Sequence, residues 1–275
     1  MSFGGNDMNG TVDYISNMPD IVTSNILNRL PLIKAVTTSI LSKKWRYKWT
    51  LLTDVVIDEH FFYYLGSNFN NGLHVTRLLL QLQGPIRRFL FFVEPRFVIG
   101  RDDINYEEIH AWLMFLAQSG IEELLIHNWY GEPVTLPTQM YSRLELKHLE
   151  LHHCTLPSIG SFKGYPNLLT LELLFVKFQT GTIWDFIAGC PSLESLKINP
   201  SDSSEMRLFD IAQLGNLKKL YLAFGYLNHV STITSYNIYQ LSRLPKLESL
   251  TLDFDDCKVI LTRVSVFLVE LFKVS

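Results

Sequence analysis

Four histidines, His127, His148, His152 and His153, with Cys154 beside the last, are the residue types from which a transition-metal site is built. Zinc asks for three or four converging ligands, however, and alternation along an extended segment sends His152 and His153 to opposite faces, so no metal is assigned. Asp102-Asp103, Glu107-Glu108, Glu122-Glu123 and Asp255-Asp256 are adjacent carboxylates whose side chains point apart. That arrangement suits solvated charge better than an acid/base couple. Gly4-Gly5 stands alone, no Walker-type or GxGxxG loop follows a strand pattern, and no GxSxG elbow occurs. The residues therefore offer no catalytic group, metal ligand set or cofactor site, and the chain reads as a non-enzyme.

The elements that carry these residues set the class. With 275 residues, 47% hydrophobic and 19% charged, the chain is long enough for a sizeable core, as one domain or as one domain plus a small module. Its net charge of -3 argues against a dedicated nucleic-acid binder. Cys154, Cys190 and Cys257 are odd in number and widely spaced, which points to reduced thiols and an intracellular setting, nucleus or cytoplasm. Residues 1–12, MSFGGNDMNGTV, lack a basic-then-apolar signal pattern and are expected to form a disordered leader. The apolar run Val264 to Phe272 is broken by Ser265 and Glu270 and falls far short of the ~20 residues of a bilayer span, so no membrane partner is expected.

Residues 13–50 hold three short helical patterns end to end. Pro19 and Asp20 suit a helix start, Ile21, Val22, Ile26, Leu27 and Leu30 form an apolar stripe, and Pro31 stops it. A second pattern runs from about Lys34 to Leu41 with Val36, Ile40 and Leu41 on one side. Ser42 can cap a third, on which Trp45 and Trp49 stack four residues apart. About 40 residues is near the limit of independent folding, so this module needs the rest of the chain or another protein to cover it. Its two indoles and its aliphatics are expected to stand uncovered until a partner closes over them. The module is also basic: Arg29, Lys34, Lys43, Lys44, Arg46 and Lys48 against Asp13 and Asp20 give a local charge of +4, which can steer an acidic partner.

Ile15, Met18-Pro19-Asp20, Ile26-Leu27, Leu30-Pro31, Ala35-Val36, Ser39, Leu41-Ser42-Lys43-Lys44-Trp45-Arg46 and Trp49 together resemble the F-box motif of plant F-box proteins with leucine-rich repeats. Met18 replaces the usual Leu. The resemblance implies docking on the Skp adaptor of cullin–RING ubiquitin ligases. It further implies that Pro19, Ile26, Leu27, Leu30, Pro31, Val36, Leu41, Trp45 and Trp49 either face that adaptor or brace the helices.

From about Leu51 the chain repeats. Leu168-x-x-Leu171-x-Leu173, Leu193-x-x-Leu196-x-Ile198, Leu217-x-x-Leu220-x-Leu222 and Leu247-x-x-Leu250-x-Leu252 are the clearest copies, each with Pro or Gly two residues ahead. Leu146 and Ile121 begin two more, and Ile86 and Leu52 begin weaker ones. A single match arises by chance in roughly one window in ten at this hydrophobic content. The series decides: starts from Ile121 onward are separated by 25, 22, 25, 24 and 30 residues, close to leucine-rich-repeat spacing. Helical returns are expected at Phe61–Leu82, Tyr106–Gln118, Ile183–Ala188, Met206–Leu214 and Val230–Leu244. The fold class expected is α/β, a three-helix F-box at 13–50 followed by an irregular leucine-rich-repeat solenoid with a parallel sheet at 51–275. In the family an FBD region often follows the repeats. The chain reaches Ser275 soon after its last copy, and it is expected to lack that region, as a truncated or short-form product would.

Positions four and six of each copy face the core, and three, five and seven face the other way. His148, Glu150 and His152, with Glu172, Lys197, Lys219, Tyr221 and Asp253, thus form a mixed polar stripe suited to holding a target protein. The reading is a non-catalytic adaptor that holds a Skp-type protein, and through it a cullin, at one end and an unknown target at the other. A scaffold outside an assembled ligase, and a small-molecule co-ligand between repeats and target, stay open.

Overall fold

A computed structural model describes residues 15, 17–66, 71–93, 106–129, 132–158, 160, 162–200, 211, 213–223, 241, 244–254 and 257–262. The expected leader and most of the returns at 206–214 and 230–244 lie outside them.

Pro19 adopts an extended backbone and opens α1 (Asp20–Leu27), with Asp20 in its positive first turn. Pro31 both ends that helical stretch and precedes α2 (Leu32–Thr37), which tightens into a 3-10 turn at Thr38–Ile40. The third segment differs from expectation. Ser42 accepts a bond from the Trp45 amide at 3.3 Å, but turns follow, and only Lys48–Leu51 is helical, as a 3-10 turn. Tyr47, at φ -119° and ψ 6°, leaves helical geometry between the two tryptophans.

Strands β1 (Asp54–Ile57), β2 (Arg88–Val93), β3 (Glu123–Asn128), β5 (His148–His152), β7 (Thr170–Phe178), β8 (Ser195–Pro200), β9 (Lys219–Ala223) and β10 (Ser249–Phe254) lie side by side in chain order, all parallel. They are the eight repeat copies, the two weak ones included. Strand β11 (Cys257–Thr262) turns back antiparallel on β10. The short β4 (Val134–Thr135) and β6 (Cys154–Leu156) form a side ladder that joins β7 at Lys177 and Phe178. Neither β11 nor this ladder follows from the repeat pattern. His153 takes a positive φ of 53°, which breaks the alternation and sends Cys154 into the core.

Register is set at the second position of each copy. The amides of Arg87, Glu122, Lys147, Leu169, Glu194, Lys218 and Glu248 each donate to the second-position carbonyl of the preceding copy at 2.8 Å. Apart from Leu169 their side chains are charged and alternate in sign: Lys147 meets Glu122 at 2.6 Å and Lys218 meets Glu194 at 2.8 Å. First, fourth and sixth positions are buried in every copy, from Leu52, Val55 and Ile57 to Leu247, Leu250 and Leu252. Helices α3 (Glu59–Leu65), α4 (Asn71–Leu79), α5 (Tyr106–Leu116) and α6 (Ile183–Ala188) cover that face. Helix α6 carries a capping box between Thr182 and Asp185. The return after β7 packs so closely that a Cβ at Gly164 would lie 2.3 Å from the Gly189 carbonyl oxygen, while Tyr165 donates to that same oxygen.

The helical module is not a separate bead. Leu27, Leu32, Ala35, Trp45 and Trp49 belong to the same core as the repeats. Asn28 clasps the junction, donating to Thr53 Oγ1 at 2.7 Å and accepting from the Thr53 and Asp54 amides.

Candidate docking surfaces

The first surface is made by what the helical module leaves outside. Leu27 is fully buried, and Trp45 and Trp49 are only 5% and 7% exposed. The expectation of uncovered indoles is thereby corrected: the turns after Ser42 and the 3-10 segment at Lys48–Leu51 fold both rings inward against the chain's own core. Val36 is half-buried against that core. Leu27, Trp45 and Trp49 therefore brace the module. Ile21, Val22, Ile26, Leu30 and Leu41 remain exposed, with Ile40 at 85%, and Pro19 and Pro31 are exposed with them. So many large aliphatics exposed within about twenty residues make this segment a candidate interaction surface. Arg29, Lys34, Lys43, Lys44 and Arg46 are exposed in the same module, and Lys48 pairs with Asp20 at 2.5 Å.

The second surface is the sheet face opposite the helices. Register carries one row across it, Val56, Leu90, Leu125, Glu150, Glu172, Lys197, Tyr221 and Thr251, every member half-buried. Beside it Phe92, His127 and His152 form the start of a second row. Lys197 donates to Glu172 at 2.8 Å and lies 5.2 Å from the Tyr221 ring, and Tyr221 donates to Asp253. Lys219 is exposed and His148 half-buried in the third-position row.

His152 departs from the expected stripe, for it is buried. The His127 ring stacks on it at 3.9 Å, and Trp129 packs on it at 5.0 Å. Trp129 also meets Phe175, and Phe92 meets His127 edge-on. Desolvation holds the His152 imidazole below its usual range, outweighing the bond to Glu172. Glu172 is pushed up by burial, but the bonds from His152 and Lys197 and the Lys197 charge win and leave it below the ordinary carboxylate range. With Nε2 on Glu172 at 2.7 Å, the His152 Nδ1 is buried without a partner among the described residues.

His127, Glu150 and His152 hold their ligand atoms within 4.8 Å of one another, a group of which the sequence reading weighed only the two histidines. Their disposition disfavours an ion. The two imidazoles stack 5° from parallel with centroids 3.9 Å apart, and each Nε2 is engaged by a carboxylate and not held open for an ion. That of His127 meets Glu150 at 2.9 Å. His148, His153 and Cys154 are not part of the cluster. The apolar end of the row, Phe92 and the second-position charges were missed in the sequence; extending columns two, five and seven through the weak copies would have shown them.

Short helices bracing a basic, aliphatic patch, fused to parallel repeats with a patterned open face, define a docking module joined to a leucine-rich-repeat sheet. The F-box domain family matches residues 15–53, and the family described as FBD-associated F-box protein At5g56370, LRR repeats, matches residues 109–267. The chain belongs to the plant F-box/leucine-rich-repeat proteins. It is similar to three proteins of Arabidopsis thaliana. F-box/FBD/LRR-repeat protein At1g13570 is 36% identical over 219 residues, 78% of this chain and 50% of that one. F-box/FBD/LRR-repeat protein At3g26920 is 29% identical over 80% of this chain and 49% of its own length. FBD-associated F-box protein At4g10400 is 32% identical over 71% and 47%. The chain spans about half the length of these curated relatives. The LRR ectodomain of the plant membrane receptor kinase GASSHO1/SCHENGEN3 from the same plant overlaps 52% of this chain and 16% of its own, with 19% identity and a TM-score of 0.31, too low to support any argument. Among the described residues no helix is long and apolar enough to cross a membrane.

Proposed function

We propose that this chain is the substrate-recognition subunit of an SCF-type cullin–RING ubiquitin ligase. Residues 13–50 dock on a Skp-type adaptor, which brings a cullin, and residues 51–275 hold a target protein for ubiquitination. The chain itself is a non-catalytic adaptor acting in the nucleus or cytoplasm. Its mechanism is effective concentration: tethering raises the encounter rate of a target lysine with the ubiquitin-charged enzyme.

The observation that carries this reading is the split within the F-box segment. Leu27, Trp45 and Trp49 already complete a core, and among the described residues Ile21, Ile26, Leu30, Ile40 and Leu41 stay exposed, free for a partner to cover. Surrounding lysines and arginines favour an acidic partner and a fast, salt-sensitive encounter. Co-purification with a Skp-type adaptor and cullin tests it. Leu30→Asp with Leu41→Asp is expected to abolish capture of both proteins while leaving the thermal midpoint within about 2 °C, since exposed sites contribute little to stability. Undiminished capture by that variant would refute the docking assignment, and capture of adaptor without cullin would favour a scaffold.

A further inference from the structure

The open face of the sheet is divided along its own register. At the end nearest the helical module, Val56, Leu90 and Leu125 are consecutive register partners, all half-buried and apolar, with Phe92 beside Leu90 on β2. The next two members of the same row are both glutamates. Glu150 and Glu172 are direct register partners on neighbouring strands, and like charges so placed repel. Among the described residues one ammonium, that of Lys197, serves this pair, and it lies on Glu172. Glu150 meets the imidazole of His127 instead. Apart from the imidazoles, the described residues set one lysine ammonium against the two carboxylates, so the pair can take a further cation. Glu150 and Glu172 are 25% and 17% exposed, so a cation reaching them is screened less than at an open surface. The rings of Phe92 and Trp129 flank the same cluster through His127 and His152, a setting that favours a guanidinium.

We infer that this face takes an extended stretch of a partner protein bearing an apolar side chain and, four residues along, an arginine. The apolar side chain seats over Val56, Leu90 and Leu125, and the guanidinium lies between Glu150 and Glu172. Spacing follows from the sheet. From Leu90 to the gap between the two glutamates is two and a half strand intervals, about 12 Å at ~4.8 Å each. An extended chain advancing ~3.3 Å per residue covers that in about four residues, which also returns the side chain to the same side. The inference rests on the reading that the open face is where the target is held, and it names the chemistry that the target must carry.

The test uses the full chain and an array of twelve-residue Gly/Ser peptides carrying one leucine, with arginine, glutamine or glutamate two, four or eight positions later. The leucine-arginine peptide at spacing four should bind at least threefold more strongly than its glutamine and glutamate counterparts. Glu150→Gln with Glu172→Gln should erase that preference without changing the circular dichroism spectrum, and Leu90→Ser should weaken every peptide. Equal or stronger binding of the glutamate peptide, still sensitive to Leu90→Ser, would overturn the charge assignment while leaving the face as the target surface. Binding indifferent to all three substitutions, or no binding across the array, would overturn the assignment of the face itself.

Discussion

Glu172 accepts from His152 Nε2 and from Lys197 at once, and this one carboxylate ties β5, β7 and β8 together across the open face. Its pKa lies below the ordinary carboxylate value, so the folded state favours its ionised form. The sign follows directly: the contribution is complete above the unfolded carboxylate value near ~4.3 and is lost as pH falls through the lower folded value. Melting curves between pH 7 and pH 3 should therefore show a shallower acid limb for Glu172→Gln than for the parent chain. The thiols carry a second expectation. Burial raises Cys154, and raises Cys190 to about 12, so both stay protonated and unreactive. Iodoacetamide at pH 8 should leave the peptides containing Cys154 and Cys190 unlabelled, read by mass spectrometry, until denaturant is added. At this scale the sequence was partly legible. It placed Glu150, Glu172, Lys197 and Tyr221 on one stripe, because period two is local. It did not show His152 buried, because the rings that cover it come from residues 127 and 129.

At the scale of elements, the repeat starts were legible because three apolar positions at fixed offsets recur, and α6 fell on Ile183–Ala188 as expected. Its capping box predicts that Thr182→Ala costs about 1 kcal/mol, measurable by chemical denaturation. The third F-box segment was legible as a motif but not as a shape. Two tryptophans four apart suit a helix face, yet tertiary packing around Trp45 and Trp49 overrides that preference and leaves turns with a 3-10 segment. The motif likewise fixed which residues matter without separating Ile26 and Leu30, which face outward, from Leu27, which faces in. That separation depends on tertiary packing, in which α1 lies against the Lys48–Leu51 turn, and the spacing of the motif does not report which side of α1 that turn takes. Strand β11 escaped the pattern because it is antiparallel, outside the repeat rule that located the others.

At the scale of the whole molecule, one continuous core joins the F-box segment to the sheet, so the two are held in a fixed relation. Asn28, bonded to Thr53 and Asp54 across the junction, keeps the two from turning independently. A rigid link of this kind fits the proposed function, in which a target is held at a set distance from a transferring enzyme. The division of labour between the two ends is most directly tested by hydrogen exchange of the full chain, alone and with a saturating Skp-type adaptor. Slowed exchange is predicted over residues 20–41, with the amides of β5 to β9 unchanged. Unaltered exchange over 20–41, or protection confined to the sheet, would contradict the account.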